Sequence, residues 1–133
     1  MRVVADTHAL LWFVHGSSLL SSTARSVLRE AQETDGIVVS AALLVDLWYV
    51  TQTTGAFSAE DLDAVRNLVV DDTTAIDLVP IDLAVFDQWG RLDRAILADP
   101  WDRFIVATAI TGGAPLVSRD QAIARSGYLQ TIW

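Results

Sequence analysis

A chain of 133 residues with 52% apolar side chains and a formal charge of −8 is sized for one domain, here residues 1–133, with a buried core. It is too acidic to coat nucleic acid by net charge. The absence of cysteine excludes disulfides and thiolate metal sites, and all nine basic residues are arginine, which excludes any mechanism built on a catalytic lysine. No apolar run approaches the roughly 18 residues of a membrane span. The opening Met1-Arg2-Val3-Val4-Ala5-Asp6 is too short an apolar run for a signal peptide, so the expected location is the cytoplasm.

Along the chain, Val3 to Ala5 reads as a short buried strand and Thr7 to His15 as a helix. Ser21 or Ser22 caps a second helix to about Glu33. Asp35-Gly36 marks a turn into the strand Ile37 to Ser40. Ala41 to about Thr53 is helical and ends near Gly55. Ser58 with Asp61 three residues on forms a capping-box pattern for a helix to about Val70. Ile76 to Val79 is a strand, and Asp82 caps a helix to about Leu92. Asp99-Pro100 opens a helix with proline at its first position, where the missing N–H costs nothing, and Gly112-Gly113 closes it. Pro115 to Ser118 is a strand, Asp120 to Arg125 a short helix, and Gln130 to Trp133 a last strand. Short apolar strands alternating with helices predict an α/β fold, a parallel sheet covered on both faces. Binding sites in such sheets lie beyond the carboxyl ends of the strands.

Four acids fall there. Asp6 ends the first strand, Asp46 lies in the helix after the second, Asp102 in the first turn of the helix from Pro100, and Asp120 just past the strand ending at Ser118. Converging carboxylates repel unless a cation joins them, and hard divalent cations such as Mg²⁺ take oxygen ligands. Such a cluster can orient water and stabilise a phosphoryl group in flight. Each acid also has a purely structural reading. Helix dipoles favour an acid at Asp102, Asp99 is a natural N-cap, and Asp120 can be a cap or turn residue. Asp46 is harder to explain that way, because it interrupts the apolar stretch Val39 to Val50. Glu60, Asp61, Asp63, Asp71 and Asp72 read as a solvated face. His8 and His15, seven residues apart beside Leu11 and Trp12, read as a packed or interfacial helix face.

The ordered motifs resemble PIN-domain ribonucleases, specifically toxins of the VapC type. Asp6-Thr7-His8-Ala9-Leu10-Leu11-Trp12 is similar to the family's opening. Asp99-Pro100-Trp101-Asp102-Arg103 with Ile105-Val106-Ala107-Thr108-Ala109 is similar to its second signature, and Leu116-Val117-Ser118-Arg119-Asp120 to its third. Val39-Ser40-Ala41-Ala42 leading to Asp46 fits the remaining acidic position. The resemblance implies a parallel sheet of about five strands and Mg²⁺- or Mn²⁺-dependent cleavage of RNA. It also implies a homodimer inhibited by a small VapB-type antitoxin of a type II toxin–antitoxin system. Carried over, Asp6, Asp46, Asp102 and Asp120 are the catalytic and metal-binding acids, Asp99 is accessory, and Thr7 and Ser118 orient carboxylates. Trp12 and Trp48 are candidates to line a dimer or antitoxin groove. One departure stands out. The family usually has glutamate where this chain has Asp46, whose oxygen reaches about 1.5 Å less far.

Rival readings are fewer. An aspartyl-phosphate phosphatase needs a second acid two residues after the first strand's aspartate, where this chain has His8, and a lysine. A receiver domain fails on the same lysine. A PIN-like domain with impaired catalysis, serving as a protein-binding module, is the alternative that the Asp46 change keeps open.

Overall fold

The computed structural model describes all 133 residues as alternating strands and helices. In chain order they are β1 (Val3–Ala5), α1 (Thr7–Val14), α2 (Ser22–Glu33), β2 (Ile37–Ser40), α3 (Ala41–Thr53), α4 (Ala59–Val70), β3 (Ile76–Val79), α5 (Leu83–Gly90), α6 (Pro100–Thr111), β4 (Leu116–Val117), α7 (Gln121–Ser126) and β5 (Thr131–Ile132). The five strands form one parallel sheet in the order β3-β2-β1-β4-β5. The chain builds outward from β1 to β3 on one side, then crosses back to add β4 and β5 on the other. The order therefore reverses between β1 and β4, where parallel α/β sheets open a crevice for ligands.

Burial follows from that order. β1, β2 and β4 are buried along their whole length and carry no polar/apolar alternation, as strands covered on both faces require. The edge strand β3 buries only Ile76 fully and turns Asp77 outward, where Arg2 pairs with it at 3.2 Å. Helices α2 and α6 both lie against β1 and β2 and complete the layers. The hydroxyls of Ser40 and Thr108, both buried, hydrogen-bond at 3.2 Å and fasten the end of β2 to α6. No helix is long and apolar enough to cross a membrane.

The predicted caps hold. Ser21, Ser58, Asp82, Asp99 and Asp120 each accept a backbone N–H of the helix they precede, and Ser58 and Asp61 close a reciprocal capping box. Gly36 sits at φ +93° on the way into β2, a conformation that side chains resist. The end of α5 differs from expectation: the helix stops at Gly90, not near Leu92. Arg103 supplies the reason. Its guanidinium donates to the carbonyls of Trp89 and Leu92, at 3.1 Å each, and so holds the chain in a turn after the helix. The last two strands are also shorter than predicted, two residues each.

Candidate metal and phosphate site

The carboxyl ends of the strands and the starts of the helices behind them enclose a cavity of about 350 Å³. Asp6, Asp46, Asp99, Asp102 and Asp120 all line it, so the structure brings together every acid singled out in the sequence. Three of them are set by helix capping. Asp6 follows β1 and accepts the Ala9 N–H at 2.9 Å, starting α1. Asp99 accepts the N–H groups of Trp101 and Asp102 at 2.8 and 3.1 Å, starting α6. Asp120 accepts the Ile123 N–H at 3.0 Å, starting α7. One carboxylate thus closes each of three helix N-termini and also faces the cavity. The positive ends of those helices offset part of the gathered negative charge.

Two hydroxyls hold the site from beneath. Thr7 is buried and donates to Asp46 at 2.6 Å. Buried Ser118 accepts the Asp120 N–H at 3.0 Å and stands beside Asp6 as a second hydrogen-bonding partner. The short Asp46 side chain thus lines the cavity, with α3 close enough for one of its oxygens to meet Thr7. Thr7→Val keeps the shape and removes the donor. It is expected to cost about 1 kcal/mol of stability and to weaken Mg²⁺ binding roughly tenfold, read by urea unfolding and by calorimetric titration. Unchanged cation affinity would show that Thr7 serves the fold alone.

The charges in this cavity lack basic partners. The ion pairs of the chain join the N-terminus to Glu30 and Asp35, Arg2 to Asp77, and His15 to Asp61, and none involves a cavity carboxylate. Burial and then the neighbouring Asp99, Asp120, Asp46 and Asp6 push the Asp102 carboxyl up to about 7. Burial also raises Asp6, against the opposing hydrogen bonds of Ser118 and Ala9. As the side chains stand, no three of them close on one point at ligand distance, as repelling anions should not. Five oxygen-bearing acids, none of them ion-paired and with no thiolate among them, fit a hard divalent cation better than any other group.

Sequence reasoning missed part of the wall. His8, Trp12 and Arg119 also line the cavity. Trp12 is not the exposed groove residue expected. It is buried under the Arg119 guanidinium, which lies 4.6 Å from its ring. His8 is exposed on the cavity wall, edge-on to Trp12 at 5.3 Å, whereas His15 pairs with Asp61 at 2.8 Å and ties α1 to α4. Asp61 is thus a capping and pairing residue and not part of a solvated face. The available signal was adjacency: His8 is two residues from Asp6, and Arg119 lies between Ser118 and Asp120. Trp48 is exposed as expected, beside Leu44, Val45, Tyr49 and Leu62 in a groove between α3 and α4.

The sequence profile of the PIN domain matches residues 3–127. The chain belongs to the PIN-domain family. PIN domains as a family are nucleases, and the acidic crevice of this PIN domain lies where the strand order reverses, between β1 and β4. Its fold is similar to that of VapBC2 from Rickettsia felis bound to a promoter DNA fragment, with a TM-score of 0.69 at 15% identity over 98% of this chain and 97% of that one. FitAcB from Neisseria gonorrhoeae gives 0.66 at 13% identity, covering 98% and 96%. VapBC-5 from Mycobacterium tuberculosis gives 0.55 at 20% identity, also covering 98% and 96%. No curated protein sequence matches this PIN domain significantly.

Proposed function

We propose that this PIN domain is the toxin of a type II toxin–antitoxin pair: an endoribonuclease that depends on Mg²⁺ or Mn²⁺ and is restrained by a cognate VapB-type antitoxin. The observation that carries the nuclease reading is the convergence on one cavity of five aspartates, none of which makes an ion pair. Asp6, Asp46, Asp102 and Asp120 would hold the cation, with Asp99 accessory. A divalent cation bound there supplies Lewis acidity toward the phosphoryl oxygens and makes water a better nucleophile. The chain's own part is positioning. Capping fixes Asp6 and Asp120, Thr7 turns Asp46, and Asp102 stays partly protonated near neutrality until positive charge arrives.

The toxin assignment draws on the toxin–antitoxin complexes among the similar folds. A partner fits the surface in two ways. The apolar groove holding Trp48 and Tyr49 suits a helix of the antitoxin, and an arginine or lysine from its tail would complement the acidic cavity. The catalytic unit is proposed to be a homodimer.

The deciding experiment incubates purified protein with labelled single-stranded RNA. Cleavage is expected with Mg²⁺ or Mn²⁺, and none in excess EDTA. Full activity in chelator would refute the cation mechanism. Failure to cut RNA or bind cations by calorimetry would favour a protein-binding module without catalysis.

A further inference from the structure

The carboxylates explain how this cavity handles a cation, but not how it admits RNA. A strand entering it brings several phosphates, and a bound cation neutralises charge at only one place. Next to the acids, every further phosphate meets repulsion unless the protein provides its own positive group. Arg119 is the one arginine lining the cavity.

Its placement is unusual for a guanidinium beside five carboxylates. Coulomb attraction should draw a long, mobile side chain onto them, yet Arg119 makes no ion pair. It lies over the Trp12 ring at 4.6 Å. That ring cannot swing away, because it is buried and wedged edge-on by His8 at 5.3 Å and Trp133 at 5.9 Å. A rigid indole face attracts a guanidinium and leaves its N–H edge free. A planar fork presented this way matches two phosphate oxygens at once.

We propose that Arg119, shelved on Trp12, binds an RNA backbone phosphate adjacent to the one being cut, and so sets which linkage lies over the carboxylates. Arg119 is then a positioning residue for the substrate, and the assignment rests on the ribonuclease reading above. Trp12 acts only through it, by keeping the guanidinium off the acids.

The test measures binding of a fluorescein-labelled single-stranded RNA by anisotropy over a range of salt, in an Asp102→Asn background so that the strand stays intact. Arg119→Ala is expected to weaken binding about tenfold at low salt and to reduce the salt slope by about 0.7, the loss of one phosphate contact. Arg119→Lys should restore the slope but not the full affinity, since an ammonium keeps the charge and loses the fork. Arg125→Ala, an exposed arginine outside the cavity, should change neither. In the otherwise wild-type chain, Arg119→Ala should raise KM and leave kcat nearly unchanged. Equal slopes and affinities for the Arg119→Ala and parent proteins would overturn the proposal, as would a matching loss in Arg125→Ala. The two readings fail separately. Cleavage that ignores Arg119 removes this inference alone. An Arg119-specific binding loss in a chain that never cuts RNA removes the ribonuclease, and with it the role in choosing the linkage, and leaves Arg119 as a phosphate contact.

Discussion

Asp102→Asn is expected to reduce RNA cleavage by more than about a hundredfold while making the cation-free protein more stable. Both effects come from one cause. The Asp102 carboxyl is pushed up to about 7, first by burial and then by Asp99, Asp120, Asp46 and Asp6. The folded chain therefore keeps a proton that the unfolded chain has already released. Between about pH 4 and about pH 7 its stability falls as pH rises, and above that range the loss is complete. At about 1.4 kcal/mol per pKa unit, the strain is on the order of 4 kcal/mol at alkaline pH. Asp6, raised by burial, acts in the same direction. Asp71 and Asp61, held low mainly by hydrogen bonds from Thr73 and Ser58, act oppositely, but only below about pH 4. Thermal melts in EDTA should show the wild type losing several degrees between about pH 5 and about pH 8, with a much flatter profile for Asp102→Asn. Mg²⁺ should restore the wild type at the higher pH and do little for the variant. A wild-type melting temperature that climbs with pH in chelator would contradict this electrostatic picture.

Arg103→Ala is expected to destabilise the fold by roughly 3 kcal/mol. This guanidinium is buried, yet it meets no carboxylate. It stacks on Trp89 at 4.0 Å and donates to the carbonyls of Trp89 and Leu92, while its Nε is buried without a partner. Removing it leaves those carbonyls without their donor and opens a void behind the Trp89–Phe104 stack, whose rings lie 5.1 Å apart. Arg103→Met fills much of the volume and should recover part of the loss, but not the part owed to the carbonyls. Because Arg103 follows Asp102 directly, α6 should also start less firmly, and cleavage should fall with stability. Urea midpoints for the three proteins check the ranking. A loss below about 1 kcal/mol in Arg103→Ala would mean that water replaces the guanidinium at no cost.

Most of the sheet was legible because it depends on local signals. Apolar triplets and quartets without alternation mark central strands, and serine or aspartate before an apolar helix marks its start. Asp99 illustrates the limit. Sequence reading had to choose between cap and site, yet the side chain both caps α6 and lines the cavity. Hydrogen-bonding capacity permits this, since a carboxylate can serve two N–H groups and still face solvent. The end of α5 was not legible, because it is set by Arg103, over ten residues further along the chain. The fate of Trp12 was hidden for a related reason: its partners Arg119 and Trp133 are brought to it only by the crossover to β4 and β5. Composition marks tryptophan as a contact residue without saying whether the contact lies inside or outside.

The sharing of Asp6, Asp99 and Asp120 between helix starts and the acidic cavity also bears on how such a protein could lose its chemistry over evolutionary time. Replacement by alanine at any of them removes a carboxylate and frays a helix together, so the inactive descendant would also fold poorly. Asparagine or serine gives up the charge and keeps the cap. Lineages in which catalysis has lapsed but the domain persists should therefore carry short polar side chains at these positions, a mark of the former acids kept by the architecture alone.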